Sequence, residues 1–186
     1  MTFDEALDHP GPLLAAWDLT TCKGQRTLTL FSLVDSRALP LAHRSVSVDD
    51  EDAAAASLRD RGIDVGEYDS RCDFVWLIGV DGVTVWGPHG RVLHASGNTL
   101  TLACGRTLAR AELARVQAYA SDDYLQRGVR TRLRSGDDVE LVREVSAVAA
   151  ADPTYSRNEL LYDTAWAGAI ASAVATWARI PYENGI

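Results

Sequence analysis

From Thr164 to Ala178 the chain carries no charged residue, and tryptophan, isoleucine, valine and alanine fall on every side of the helix that this run would form. A helix that is apolar almost all round must be covered over most of its surface. Crossing a bilayer takes about twenty apolar residues, and this run is shorter, so the cover has to be protein. The spacing predicts a helix over 158–179, entered through a Ser156-x-x-Glu159 capping box after Pro153 and stopped by Pro181. Along it Leu160, Trp166, Ile170, Val174 and Trp177 form a bulky face beside a strip of Ala165, Ala169 and Ala173.

The cover is expected from the segment just before it. Residues 73–80 are an apolar run too short for a typical helix, and Asp81-Gly82 separates them from Val83-Thr84-Val85-Trp86, a pattern that favours a two-residue hairpin turn. Strand signals recur at 91–95 and 99–104, divided by Pro88-His89-Gly90 and Ser96-Gly97-Asn98. Residues 108–120 read as a turn leading into a strand. In the next pair Val129, Thr131 and Leu133 face one side and Arg130, Arg132 and Arg134 the other. With Ser135-Gly136-Asp137 as the loop, Arg134 falls opposite Asp138, Arg132 opposite Glu140 and Leu133 opposite Val139.

The first half has a different texture. Residues 13–22 and 27–35 flank Lys23-Gly24-Gln25-Arg26 as a hairpin, and a third strand is expected over 39–48. Residues 49–61 then place acids in the first turn and arginines in the last, with Gly62 beyond, which predicts a short helix. Asp49, Asp50, Glu51 and Asp52 lack the spacing of a hard-metal loop and suit a solvated helix start.

At 186 residues and 47% hydrophobic, the chain suits one α+β domain over 1–186. Its parts are a loose arm at 1–12, a hairpin-helix lobe at 13–70, and a meander sheet with the C-terminal helix at 73–180. The expected architecture is an antiparallel, strongly bent sheet or barrel capped by the long helix. Consecutive antiparallel strands closed by one C-terminal helix resemble the pleckstrin-homology-like (PH-like) bacterial domains over about 73–180. The resemblance implies a barrel with the helix plugging one end, and protein or peptide binding. Phosphoinositide-binding members carry basic residues between their first two strands, where this chain has Asp81-Gly82.

A net charge of -8 repels phosphate backbones and anionic membranes, so neither nucleic acid nor a membrane is an expected partner. Lys23 is the only lysine, a skew that codon bias toward arginine explains. Cys22, Cys72 and Cys104 are odd in number and widely spaced, which suggests neither a disulfide framework nor a zinc knuckle. The acidic start and the lack of a membrane-length run predict a cytoplasmic protein.

No nucleophile elbow, Walker loop, dinucleotide fingerprint or His-Glu-x-x-His occurs. No catalytic residue, metal ligand or cofactor is therefore assigned. An enzyme would need His89, His94, Cys72 and Cys104 to converge. Trp76, Trp86, Trp166 and Trp177 are expected to build the core, with Trp86 and Tyr119 as a candidate contact patch should their strand positions face outward, while Arg130, Arg132 and Arg134 are a candidate grip for an acidic ligand or, when paired, a neutralised surface. The expectation is a non-enzymatic module that binds protein, with a homodimer formed through the C-terminal helix. The alternatives are an acidic immunity-type inhibitor of a basic partner, and an enzyme with an unfamiliar His/Cys site.

Overall fold

The computed structural model describes residues 1–72, 74–121, 126–145 and 164–186. The chain divides into two compact units, Met1–Ile78 with Thr84–Arg91, and Gly79–Val83 with Val92–Ile186. The fold is α+β, with strands predominating.

In the first unit, β1 (Leu13–Cys22), β2 (Gln25–Val34) and β3 (Arg37–Ser47) form an antiparallel meander. Its two turns, Lys23-Gly24 and Asp35-Ser36, have positive φ at both central positions, the twist that suits two-residue hairpins. Residues 1–12 are not a loose arm throughout. Thr2 and Glu5 form a capping box for α1 (Phe3–Ala6), and Phe3 and Ala6 are buried against Leu28 and Leu30. The Arg44 guanidinium lies 4.4 Å from the Phe3 ring centre.

A 3-10 turn at Val48–Asp50 leads into α2 (Glu51–Asp60), as the charge pattern of 49–61 predicts. The helix carries the chain back along the sheet, so β4 (Asp64–Tyr68) runs parallel to β1, from Leu14 opposite Asp64 to Asp18 opposite Tyr68. This corrects the expectation of a purely antiparallel sheet: a helical crossover returns a strand in the same direction. β5 (Val75–Gly79) and β6 (Gly82–Gly87) continue the order as β3-β2-β1-β4-β5-β6. The turn between them is Val80-Asp81 rather than Asp81-Gly82, and neither turn residue has positive φ. Gly82 serves close approach instead, since a Cβ there would lie 1.9 Å from the Ala95 carbonyl oxygen.

From Val92 onward the second unit holds the antiparallel meander of β7 (Gly90–Ser96), β8 (Thr99–Leu102) and β9 (Thr107–Ala109). A 3-10 turn, Arg110–Glu112, then enters β10 (Leu113–Ala120), as the turn-then-strand reading of 108–120 predicts. β11 (Gln126–Leu133), β12 (Asp138–Val145) and β13 (Tyr182–Gly185) give a four-stranded sheet in the order β12-β11-β10-β13. α3 (Ala165–Ala178) packs on β10 and β11, with Trp166 and Ile170 fully buried. Arg179 takes a left-handed conformation before Pro181, and β13 then runs parallel to β10. Pro153, the Ser156/Glu159 capping box, Leu160 and the start of the expected helix at 158–163 lie outside the described residues.

No barrel closes among the described residues. The strand orders end at β3, β9, β12 and β13, because the parallel return of β4 onto β1 leaves β3 as an outer edge. No helix among the described residues is long and apolar enough to cross a membrane.

Candidate binding cleft

Both faces of β1 are covered, so Leu14 to Asp18 are all buried and the alternation expected of a half-buried strand disappears. The two faces nonetheless have different neighbours. Ala15 and Trp17 join Leu28, Leu30, Leu58 and Ile63 under α1 and α2. Leu14 and Ala16 pack with Phe31, Val75 and Trp86 on the opposite face. That second face opens into a cleft of about 680 Å³ within the first unit.

Polar groups sit on the cleft floor. Thr29 and Tyr68 share a hydrogen bond of 2.8 Å between their hydroxyl oxygens, and the Phe31 ring meets Tyr68 edge-on at 5.5 Å. Asp18 lies where the β1–β2 register shifts, and a bulge of this kind re-aims a side chain. The residue is 4% exposed, and its Oδ1 accepts the Thr20 amide at 3.0 Å and the Ser70 amide at 3.4 Å. Burial raises the Tyr68 pKa above the ordinary phenol value, opposed by the Thr29 hydrogen bond and reinforced by Asp18 and Asp69. Tyr68 therefore stays a neutral hydroxyl at physiological pH.

The walls come from two loops and an edge strand. Fully buried Asp69 holds the loop after β4, accepting a two-bond fork from Arg71 at 2.8 and 2.7 Å. Phe74 and Trp86 add aromatic walls, and Leu39, Pro40 and His43 of β3 form part of the lining. A smaller cleft of about 330 Å³ lies between α2 and β4, lined by Glu51, Asp52, Arg59 and Glu67. Two of its acids are engaged: Glu51 pairs with Arg26 at 3.1 Å, and Glu67 accepts the Trp76 indole at 3.3 Å. Among the described residues no group of three or more His, Cys, Asp or Glu is placed to hold a metal ion.

The residues singled out from the sequence do not form one patch. Trp86 is only 8% exposed and belongs to the core, yet it also lines the larger cleft. Tyr119 is in the second unit, where its hydroxyl donates to Glu140 and the Arg130 guanidinium sits 5.1 Å from its ring. Burial, and then Glu140, push its pKa well above the phenol range.

The arginine stripe is answered, with different partners from those expected. Arg132 forks onto Asp138, Arg130 donates to Gln117 at 2.8 Å, and Arg134 donates to the Ala111 carbonyl at 2.9 Å. The closing pair is Leu133–Asp137, so the loop is Arg134-Ser135-Gly136 with Gly136 at positive φ in its last position. Moving the loop by one residue shifts the register by two, to Arg132 opposite Asp138 and Arg130 opposite Glu140, which preserves every facing.

His89 is exposed on the β6–β7 turn, His94 pairs with Thr101 in the β7–β8 ladder, and Cys104 is exposed in the turn after β8. None of the three lines either described cleft; Cys72 does line the larger one. On α3 the expected alanine strip is split, with Ala165 exposed, Ala169 half-buried and Ala173 buried. The unit thus covers much of the surface from which a homodimer was expected. No family model and no curated protein matches the chain.

Asp18, Thr29, His43 and Tyr68 went unnoticed in the sequence. One signal was available for Asp18: it is the single acid inside the run Leu13-Leu14-Ala15-Ala16-Trp17-Asp18-Leu19, and an acid in a buried run is uncommon unless it is satisfied or used.

Proposed function

We propose that the protein is a binding module and that the cleft of the first unit receives a segment of a partner protein. One observation carries the reading: an open cavity of about 680 Å³ joins aromatic walls to an Asp18–Thr29–Tyr68 floor. Such a mixture of apolar lining and a few placed polar groups is the usual composition of a binding site. Edge strand β3 borders it, with Leu39 45% exposed, and an extended segment beside a free edge gains main-chain hydrogen bonds. The floor groups bond to one another and to backbone amides, an arrangement that fixes them to orient a ligand.

The net charge of -8 favours a basic partner, and an inhibitor that neutralises a basic protein is the tight-binding form of the same reading. The PH-like resemblance of 73–180 falls mostly on the second unit, and we propose protein or peptide binding for that part of the chain separately from the cleft.

Selection of a random peptide library on the full chain tests it. Enriched peptides should lose about tenfold or more in affinity for Leu39→Arg, because truncating or blocking a central contact commonly has that effect. Peptides that bind this variant as well as the parent, or a library with no enriched member, would refute the cleft as a peptide site.

A further inference from the structure

We infer that the cleft recognises a cationic head, the ammonium or guanidinium group of a partner's Lys or Arg side chain, through Asp18 and the surrounding rings. The inference rests on the reading of the cleft as a peptide site and adds the chemistry of the residue that enters it.

Among the described residues Asp18 is the acidic side chain in this lining, and it is only 4% exposed. Its Oδ1 is filled by two amides, whereas Oδ2 has no donor among the described residues. A carboxylate that lines a cleft and keeps one oxygen free of protein donors attracts a positive group that enters it. The nearby arginines are committed elsewhere. Arg26 donates its Nε to the Asp18 carbonyl and its Nη1 to Glu51, and Arg71 is forked onto Asp69. A ligand that brings a positive group finds the Oδ2 of Asp18 without a competing arginine hydrogen bond among the described residues.

The rest of the lining suits a cation with an apolar stem. Phe31, Tyr68, Phe74 and Trp86 present aromatic surface, and ring faces attract ammonium and guanidinium groups within about 6 Å, most strongly where water is excluded. The Thr29–Tyr68 hydroxyl pair offers lone pairs to the same head. A net charge of -8 concentrates cations at the molecule before they dock.

The test titrates the full chain with butylguanidinium and benzylammonium, and in parallel with butylurea and benzyl alcohol, their neutral counterparts. Amide chemical shifts are followed by NMR. The cations should move the Asp18, Thr29 and Tyr68 amides at concentrations where the neutral compounds do not, and Asp18→Asn should weaken the cations about tenfold or more while leaving the neutral compounds unchanged. Equal binding of charged and neutral probes to the parent chain overturns the inference without any variant, so a poorly folding Asp18→Asn does not protect it. Cation binding that survives Asp18→Asn, or shifts confined to residues outside the cleft, also overturns it. Cation binding with no enriched peptide refutes the peptide reading and leaves the cation site standing. Enriched peptides that contain neither Lys nor Arg refute the cation head and leave the peptide reading standing.

Discussion

Replacing Tyr68 by phenylalanine removes one hydroxyl and strands another. Thr29 is 6% exposed, and the Tyr68 hydroxyl at 2.8 Å is its side-chain partner. Without it the threonine oxygen sits where water reaches poorly, so Tyr68→Phe should cost the desolvation penalty of an unpaired hydroxyl, about 1–3 kcal/mol. The reverse change is milder. Thr29→Val leaves the phenol of a half-buried tyrosine facing an open cleft, where water replaces the lost partner, and the loss should stay at about 0.5–1 kcal/mol. The double variant leaves no orphan and should cost no more than the larger single change, a coupling of about 1 kcal/mol. Urea unfolding followed by tryptophan fluorescence reads all three, provided the slope against denaturant is constant. Losses that simply add in the double variant, or a larger loss for Thr29→Val than for Tyr68→Phe, would refute the assignment of that hydrogen bond to the cleft floor.

Two glycine substitutions should have opposite signs in thermal unfolding. A Cβ at Gly66 would sit 2.2 Å from the Trp76 backbone oxygen and prise β4 from β5, costing about 1–3 kcal/mol or more, whereas at Gly168 it meets, among the described residues, the Tyr182 hydroxyl at 3.3 Å, and Gly168→Ala should gain up to about 1 kcal/mol of helix propensity. Trp166 is fully buried, so Trp166→Ala should cost about 3–5 kcal/mol, and an unchanged urea midpoint would contradict its place in the core. Tyr68, Tyr119 and Tyr182 all have pKa values raised by burial, so their contribution to stability is complete below the unfolded phenol value of about 10 and is lost as pH rises through the higher folded values. An ultraviolet titration of the folded chain should show tyrosines ionising late, and Tyr119→Phe should remove one of the late-titrating groups; an unchanged late amplitude would contradict the Glu140 contact.

Local chemistry was legible and long-range pairing was not. The hairpin of β1 and β2, the charge-marked α2 and the bulky face of α3 each follow from periodicity within a dozen or so residues, and the structure has all three in their described parts. The parallel pairings of β4 with β1 and of β13 with β10 depend on where a helix delivers the chain, which no local pattern encodes. The slip at Arg134-Ser135-Gly136 had a different cause. Gly136 was placed in the middle of the loop, when its freedom at positive φ is needed at the last position. α1 was missed although Thr2 and Glu5 spell a capping box, because one turn of helix leaves no apolar period to detect.

The cleft was illegible for a reason that also explains its existence. α1 and α2 both pack on the face of β1 that carries Ala15 and Trp17, and no helix of the first unit covers the face that carries Leu14, Ala16 and Asp18. Loops at 69–72 and 87–88 and edge strand β3 shield that face, and loops shield less completely than a helix, so a cavity remains. A position on such a face is enclosed enough to exclude bulk water and open enough to admit a ligand. Asp18, Thr29 and Tyr68 can therefore be polar there without breaking the core, provided their hydrogen bonds are met by one another and by backbone amides, as most of them are. Asp18 lines this cleft, and its Oδ1 takes both of its printed hydrogen bonds, which leaves Oδ2 as the oxygen that the proposal assigns to a cationic visitor. The same asymmetry makes the proposal sharp: were Asp18 merely a turn-forming residue, its Oδ1 bonds to Thr20 and Ser70 would suffice, asparagine would supply them equally, and Asp18→Asn would leave cation affinity unchanged.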